Sequence, residues 1–204
     1  MNRLRALIAD DESVIRMDLR EMLIAAGHEV VAEASSGEEA VTQARAQRPD
    51  IAIVDIKMPD SPAGREAGMD GIEAAGVIIA EQICPVVLLT AYGQAELVAR
   101  AREAGVFGYV TKPFEERDLL PALEIARSRY EELAVLRRQV GDLQETLETR
   151  KLVERAKGIL MDAHGLSEKD AFRRLQQESM NRRKSMREIA EAIILAADVA
   201  EGTK

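Results

Sequence analysis

Short apolar runs and helix-spaced apolar positions take turns along the first half of the chain. Residues 3–10 (RLRALIAD) predict a strand that ends in acids. Val14, Ile15, Leu19, Met22 and Leu23 recur at helical spacing, and Gly27 is placed to stop that helix. Residues 28–32 read as a second strand. Ser36 with Glu39 three positions on forms a capping box, opening a helix to about residue 47. Pro49 precedes Ile51-Ala52-Ile53-Val54, a run that suits a strand buried on both faces, and Asp55 closes it. Residues 71–81 predict a helix and 85–90 a fourth strand. Residues 93–104 predict a helix closed by Gly105, and 106–111 a fifth strand. Five strands alternating with helices imply a parallel sheet covered on both faces, with right-handed crossovers.

From Glu116 the helical pattern runs on to about His164, with Pro121 expected within a tolerant first turn. Leu133, Leu136, Val140, Leu143 and Leu147 step 3, 4, 3, 4, an a/d stripe of about two heptads. Either the stripe packs on its own domain, or it forms a short parallel coiled coil that joins two copies into a homodimer. The tail reads as three helices. Leu152, Ala156, Ile159, Leu160 and Ala163 form one stripe, ended by Gly165. Ser167 and Asp170 cap a second helix carrying Ala171, Phe172 and Leu175. Ser185 and Glu188 form a capping box for a third, with Ile189, Ala190, Ile193 and Ile194 on one face. Phe172 is expected in the core of this small three-helix bundle.

Charge divides the chain. Residues 1–128 hold 13 Lys and Arg against 22 Asp and Glu, net −9, whereas residues 150–187 hold 11 against 5, net +6. A single cysteine, Cys84, excludes an internal disulfide framework and a cysteine-based zinc site. With no signal peptide and no apolar run of about 18 residues, a cytoplasmic protein without a membrane span is expected.

The acidic half concentrates its chemistry at strand ends, where open α/β sheets place their sites. Asp10 and Asp11 follow the first strand, Asp55 the third, Thr90 the fourth, and Lys112-Pro113 the fifth. Three carboxylates at one sheet edge repel each other, and a hard divalent cation such as Mg²⁺ resolves that. Asp10 and Asp11 suit metal ligation; Asp55 suits both ligation and nucleophilic attack on a phosphoryl group. Lys112 would neutralise the transferred oxygens, and Thr90 offers them a hydroxyl. Tyr109, three before Lys112, could pack in or out as the Thr90 side moves.

These residues closely resemble the receiver domain of two-component response regulators, over about residues 3–127. The resemblance implies a doubly wound, flavodoxin-like sheet of five parallel strands with Asp55 as phosphoacceptor. Thr90 and Tyr109 would be switch residues and Lys112-Pro113 a cis pair. The implied Mg²⁺ ligands are Asp11, Asp55 and the Lys57 backbone carbonyl, with Asp10 assisting. Such domains usually run Met-Pro-x-Met-Asp-Gly after the phosphoacceptor. Here about eight extra residues stand between Met58-Pro59 and Met69-Asp70-Gly71. They are either an inert loop or, through Arg65 or Glu66, a modifier of access to Asp55. Neither histidine has a context for donating phosphate, so a separate histidine kinase is implied. No enzymatic activity beyond slow self-dephosphorylation is expected.

The tail's Leu152–Met161 run, its Ala171-Phe-Arg-Arg-Leu175 and its Ser179-Met-Asn-Arg-Arg-Lys184 strongly resemble the ANTAR domain. That domain is the RNA-binding output module of AmiR- and NasR-type antitermination regulators. The resemblance implies binding to paired RNA hairpins with hexanucleotide loops and read-through by transcribing RNA polymerase. Lys157, Gly158, Arg174, Arg182, Arg183 and Lys184 are the implied RNA contacts. The expected organisation is a receiver at 1–127, a helical or coiled-coil linker at 128–147 and an ANTAR domain at 148–204. A DNA-binding regulator and a protein-interaction module are the rival readings.

Overall fold

A computed structural model describes residues 3–58, 68–91 and 95–201. The chain divides into two compact units, Met1–Ala134 and Val135–Lys204. The first contains β1 (Arg5–Ala9), β2 (Glu29–Ala34), β3 (Ile51–Asp55), β4 (Val86–Ala91) and β5 (Gly108–Lys112). They form one parallel sheet in the order β2-β1-β3-β4-β5. Helices α1 (Ser13–Ala25), α2 (Gly37–Gln47), α3 (Gly71–Ala80), α4 (Ala95–Glu103) and α5 (Glu116–His164) follow the strands in turn.

Alternation along each strand sorts the core into two layers. Leu7, Ala52, Val54, Val86 and Leu88 pack with α2 and α3 through Val41, Ala44, Ala75 and Ile78. Ile8, Ile51, Ile53, Val87 and Leu89 face the other way, onto Leu19 and Leu23 of α1 and Leu119 and Leu123 of α5. The sheet is therefore doubly wound. Its switch point lies between β1 and β3, so the ends of those two strands open into the crevice that such sheets leave for ligands.

Local signals fall close to their expected places, with instructive differences. Ser36 caps α2 by accepting from the Glu39 N–H, but the Glu39 carboxylate bonds the Ser35 N–H at 2.8 Å instead of closing the box on Ser36. A complete reciprocal box, unforeseen from sequence, opens α3 at Asp70 and Glu73. β5 begins two residues later than expected. Gly105 (φ +74°) ends α4 with Val106 N–H bonded to Ala101 O and Gly105 N–H to Arg102 O, so Val106 belongs to the helix end. Pro121 is the sixth residue of α5, beyond the first turn, and the Arg117 carbonyl has no N–H at 121 to receive.

The second unit holds the end of α5, α6 (Glu168–Arg182) and α7 (Met186–Glu201) around Ala156, Leu160, Ala171, Leu175, Ile189 and Ile194. Ser185 and Glu188 form a reciprocal capping box. Phe172 departs from expectation. It is 45% exposed, because Ala171 and Leu175 take the core-facing positions of α6. Most of the α5 stripe also stays uncovered by the described residues: Leu133 is partly buried, but Leu136, Val140, Leu143 and Leu147 are all more than half exposed. Among the described residues no helix is long and apolar enough to cross a membrane. Arg65 and Glu66 lie outside the described residues.

Candidate functional site

The ends of β1, β3, β4 and β5 converge on one acidic crevice. Asp10, Asp11 and Asp55 each bring a carboxylate oxygen within 4.8 Å of the others. Lys112 reaches in from β5, with Nζ 2.7 Å from Asp10 Oδ2 and 3.0 Å from Asp55 Oδ1. Asp55 Oδ2 accepts from the Lys57 N–H at 3.2 Å, and Asp10 Oδ1 from the Glu12 N–H at 2.9 Å. A cavity of about 200 Å³ opens here, lined by Asp11, Asp55, Lys57, Thr90, Ala91 and Lys112, with Asp10 buried behind it. The Lys112–Pro113 peptide bond is cis.

Burial pushes the Asp55 carboxyl above its ordinary range. The Lys112 ammonium pulls it back only partly, and Asp10 and Asp11 add to the rise. Burial also works against charge on Lys112, but its bonds to Asp10 and Asp55 outweigh that and raise its pKa. Three carboxylates against one ammonium leave the crevice short of positive charge. That imbalance, with oxygen donors clustered at one point, fits a divalent cation such as Mg²⁺.

Thr90 lines the cavity without a hydrogen bond to the carboxylates, and Tyr109 is not among the cavity's lining residues. The buried Thr90 hydroxyl donates to the Ala91 carbonyl at 3.1 Å, and Tyr109 is 57% exposed. Of the two orientations open to Tyr109 from sequence, the structure holds the outward one.

Two supporting residues escaped sequence reasoning. Arg16, one turn into α1, donates from Nη1 to the Asp10 and Asp11 carbonyls at 2.7 and 3.3 Å and so pins the acidic turn. The signal was a basic residue five positions after an acidic pair, legible only once α1 is known to begin there. Gly71 is the second. A Cβ there would lie 1.8 Å from the Asp55 carbonyl oxygen, so only glycine lets α3 start against the end of β3.

In the second unit the expected contacts separate. Arg174, Arg182, Arg183 and Lys184 are exposed. Arg182 Nε bonds Glu178 Oε2 at 2.7 Å, and Lys184 lies 3.6 Å from Glu188. Arg174 and Arg183 have no ion pair among the described residues. Lys157, the remaining basic candidate, is placed differently from these four. It is only 6% exposed, and its ammonium is held by Glu168 at 2.7 Å and by Glu154 at 2.9 Å. Those bonds, to Glu168 first, raise its pKa. They fasten α5 to the first residue of α6. Gly158 has open space where a Cβ would stand, so packing within the chain does not require glycine there.

Comparison with known proteins agrees with this division. Residues 6–124 match the response regulator receiver domain and residues 141–194 the ANTAR domain. The chain is 50% identical over 190 residues to the transcriptional regulatory protein PdtaR of Mycobacterium tuberculosis, covering 93% of this chain and 89% of that protein. It is 35% identical to the chemotaxis protein CheY of Thermotoga maritima, over 58% of this chain and 93% of that one. Among solved structures, the receiver domain of a modulated diguanylate cyclase from Desulfovibrio desulfuricans superposes with a TM-score of 0.57 at 31% identity, covering 64% of this chain and 98% of that chain.

Proposed function

The chain belongs to the response regulator receiver family and carries a C-terminal ANTAR domain, and from that premise we propose a phosphorylation-controlled, RNA-binding antiterminator. Asp55 accepts a phosphoryl group from a partner histidine kinase. The tail then binds paired RNA hairpins in the cytoplasm and lets transcribing polymerase pass a terminator. The observation that carries this reading is the placement of Asp55: a buried carboxylate at a strand end, paired with Lys112 and flanked by Asp10 and Asp11.

In the transfer step an Asp55 carboxylate oxygen attacks the phosphorus of phosphohistidine. The P–O bond forms as the P–N bond breaks, and the imidazole leaves with the electron pair. Lys112, already between Asp10 and Asp55, neutralises a phosphoryl oxygen. Asp10, Asp11, Asp55 and the Lys57 carbonyl are the residues that would hold Mg²⁺, which supplies charge neutralisation for the transferred group. Thr90 gives up the Ala91 carbonyl and turns its hydroxyl to the phosphoryl group. Tyr109 moves inward behind it. The two states differ in these contacts, which is what a phosphoryl group needs in order to shift their populations. Functionally the chain divides into a receiver at 1–127, a linker at 128–147 and an RNA-binding domain at 148–204. The uncovered stripe of α5 pairs with a second copy.

The test uses a two-hairpin RNA whose hexanucleotide loops are selected from a random pool for binding to the full chain. Affinity is measured at fixed salt and Mg²⁺, with and without beryllofluoride, for wild type and Asp55→Asn. Binding that tightens only with the mimic, and only in wild type, is the expected result. Equal binding in both states removes phosphorylation as the on-switch. Failure to select any loop removes the RNA reading.

A further inference from the structure

Between α6 and α7 runs a groove of about 330 Å³, within the size range of small-molecule sites. Its floor is apolar, built from Leu160 at the end of α5 and from Ile189 and Ile193 of α7. Ala192 and Ala196 keep it open, since larger side chains at those positions would fill it. The opposite wall is polar. Arg174, Glu178 and Arg182 stand four residues apart on one face of α6. Glu178 uses Oε2 to hold Arg182. Among the described residues its other oxygen has no hydrogen bond, and Arg174 has no partner.

An occupant must suit all three features together. A phosphate backbone alone would use the arginines, but it would leave the apolar floor empty and meet repulsion from Glu178. An apolar helix would fill the floor, but it would bury Arg174 and the free Glu178 oxygen without partners, which is costly. An unstacked nucleobase has apolar faces, an edge with N–H donors and phosphates on either side. Carboxylates accept from such amino groups, and bases splayed from RNA loops are read on their edges and stack on guanidinium planes.

We propose that this groove receives one unstacked, amino-bearing base from the loop of a bound RNA hairpin. Glu178 accepts from the base's amino group, and Arg174 and Arg182 engage the neighbouring phosphates. The assignment rests on the RNA-binding reading above and adds, to the expected contacts Arg174 and Arg182, a base-reading carboxylate at Glu178 and an apolar floor.

The experiment fills the groove and removes the base separately. Full-length wild type and Ala196→Leu are titrated with the selected two-hairpin RNA and with versions made abasic at each loop position in turn. Because Ala196 is exposed, the variant is expected to fold. Its thermal melt and its salt-dependent binding to loop-free duplex RNA check that. Ala196→Leu should weaken binding to the intact hairpins about 10-fold or more, the scale of losing one stacked base. One abasic position should weaken wild type equally, and the two changes together should cost no more than either alone. Additive losses, or unchanged affinity in Ala196→Leu, would overturn the proposal. So would a shift in the monomer–dimer equilibrium of Ala196→Leu by sedimentation without RNA, which would assign the groove to a second copy. If wild type binds no selected hairpin, the RNA-binding reading itself fails, an outcome visible before any variant is made.

Discussion

At the scale of single residues, burial decides what a side chain can do, and Cys84 is the clearest case. It is 1% exposed in the loop that leads into β4, and burial, assisted by the charge of Asp50, pushes its thiol up to about 12. A neutral thiol is a poor nucleophile, so the native protein at pH 8 should resist alkylation and be labelled only as urea unfolds it. The sign of the linkage is also set. Between the ordinary thiol pKa and about 12 the folded state holds a proton that the unfolded state has lost. The stability Cys84 contributes therefore falls as pH rises through that window. Urea unfolding of wild type and Cys84→Ala from pH 8 to 12 should show wild type losing stability faster. Parallel curves would mean that the thiol is not held neutral. Burial also explains which residues were legible. Asp55 could be found because a carboxylate closing a doubly buried strand has one natural place, the sheet edge. Lys157 could not be judged from its charge: sequence records an ammonium, and only folding brings Glu154 and Glu168 around it. Gly71 was invisible for a related reason, since the carbonyl that excludes a side chain comes from a segment far from it in sequence.

At the scale of elements, the helix ends carry the information. Five-fold strand–helix alternation was readable from hydrophobic spacing, because period and glycine stops are local properties. The misplaced start of β5 came from a rival use of Val106, whose N–H closes α4. The end of α6 poses a different question. Arg183 occupies the left-handed region at φ 53°, where a side chain costs about 1 kcal/mol or more and glycine costs none. Its guanidinium has no partner among the described residues. Arg183→Gly should therefore raise stability by about 0.5–1 kcal/mol, a gain of a few degrees in the second unit's melt. If Arg183 faces phosphate, the same substitution should weaken hairpin binding and flatten its salt dependence by about one counterion. A stabilised variant that binds RNA worse cannot owe the loss to unfolding. A stabilised variant with unchanged salt slope would place Arg183 outside the RNA interface.

At the scale of the whole molecule, one helix belongs to both units, since α5 runs unbroken from Glu116 to His164 across the boundary at Ala134 and Val135. Sequence showed the stripe on that helix but could not say whether it was covered, because coverage is a matter of the three-dimensional surface. Its exposure, 64% at Leu143, makes the phase of α5 testable. Each inserted residue turns the helix beyond it by about 100°, whereas a whole heptad returns the stripe to within ~20° of its line. If a second copy pairs along the stripe when Asp55 is modified, one alanine inserted after Gln144 should break the line between Leu143 and Leu147. The gain in RNA affinity with beryllofluoride should then vanish, while binding without the mimic persists, because the inserted site is exposed and lies outside both hydrophobic cores. Inserting a second copy of residues 138–144 at the same point should restore the gain. Sedimentation of the three proteins with and without the mimic gives the parallel readout: dimer in wild type and the heptad insertion, monomer in the single insertion. If the single insertion keeps both the dimer and the gain, α5 is a tether whose register carries no signal. The switch would then have to act through the receiver surface around Tyr109 alone.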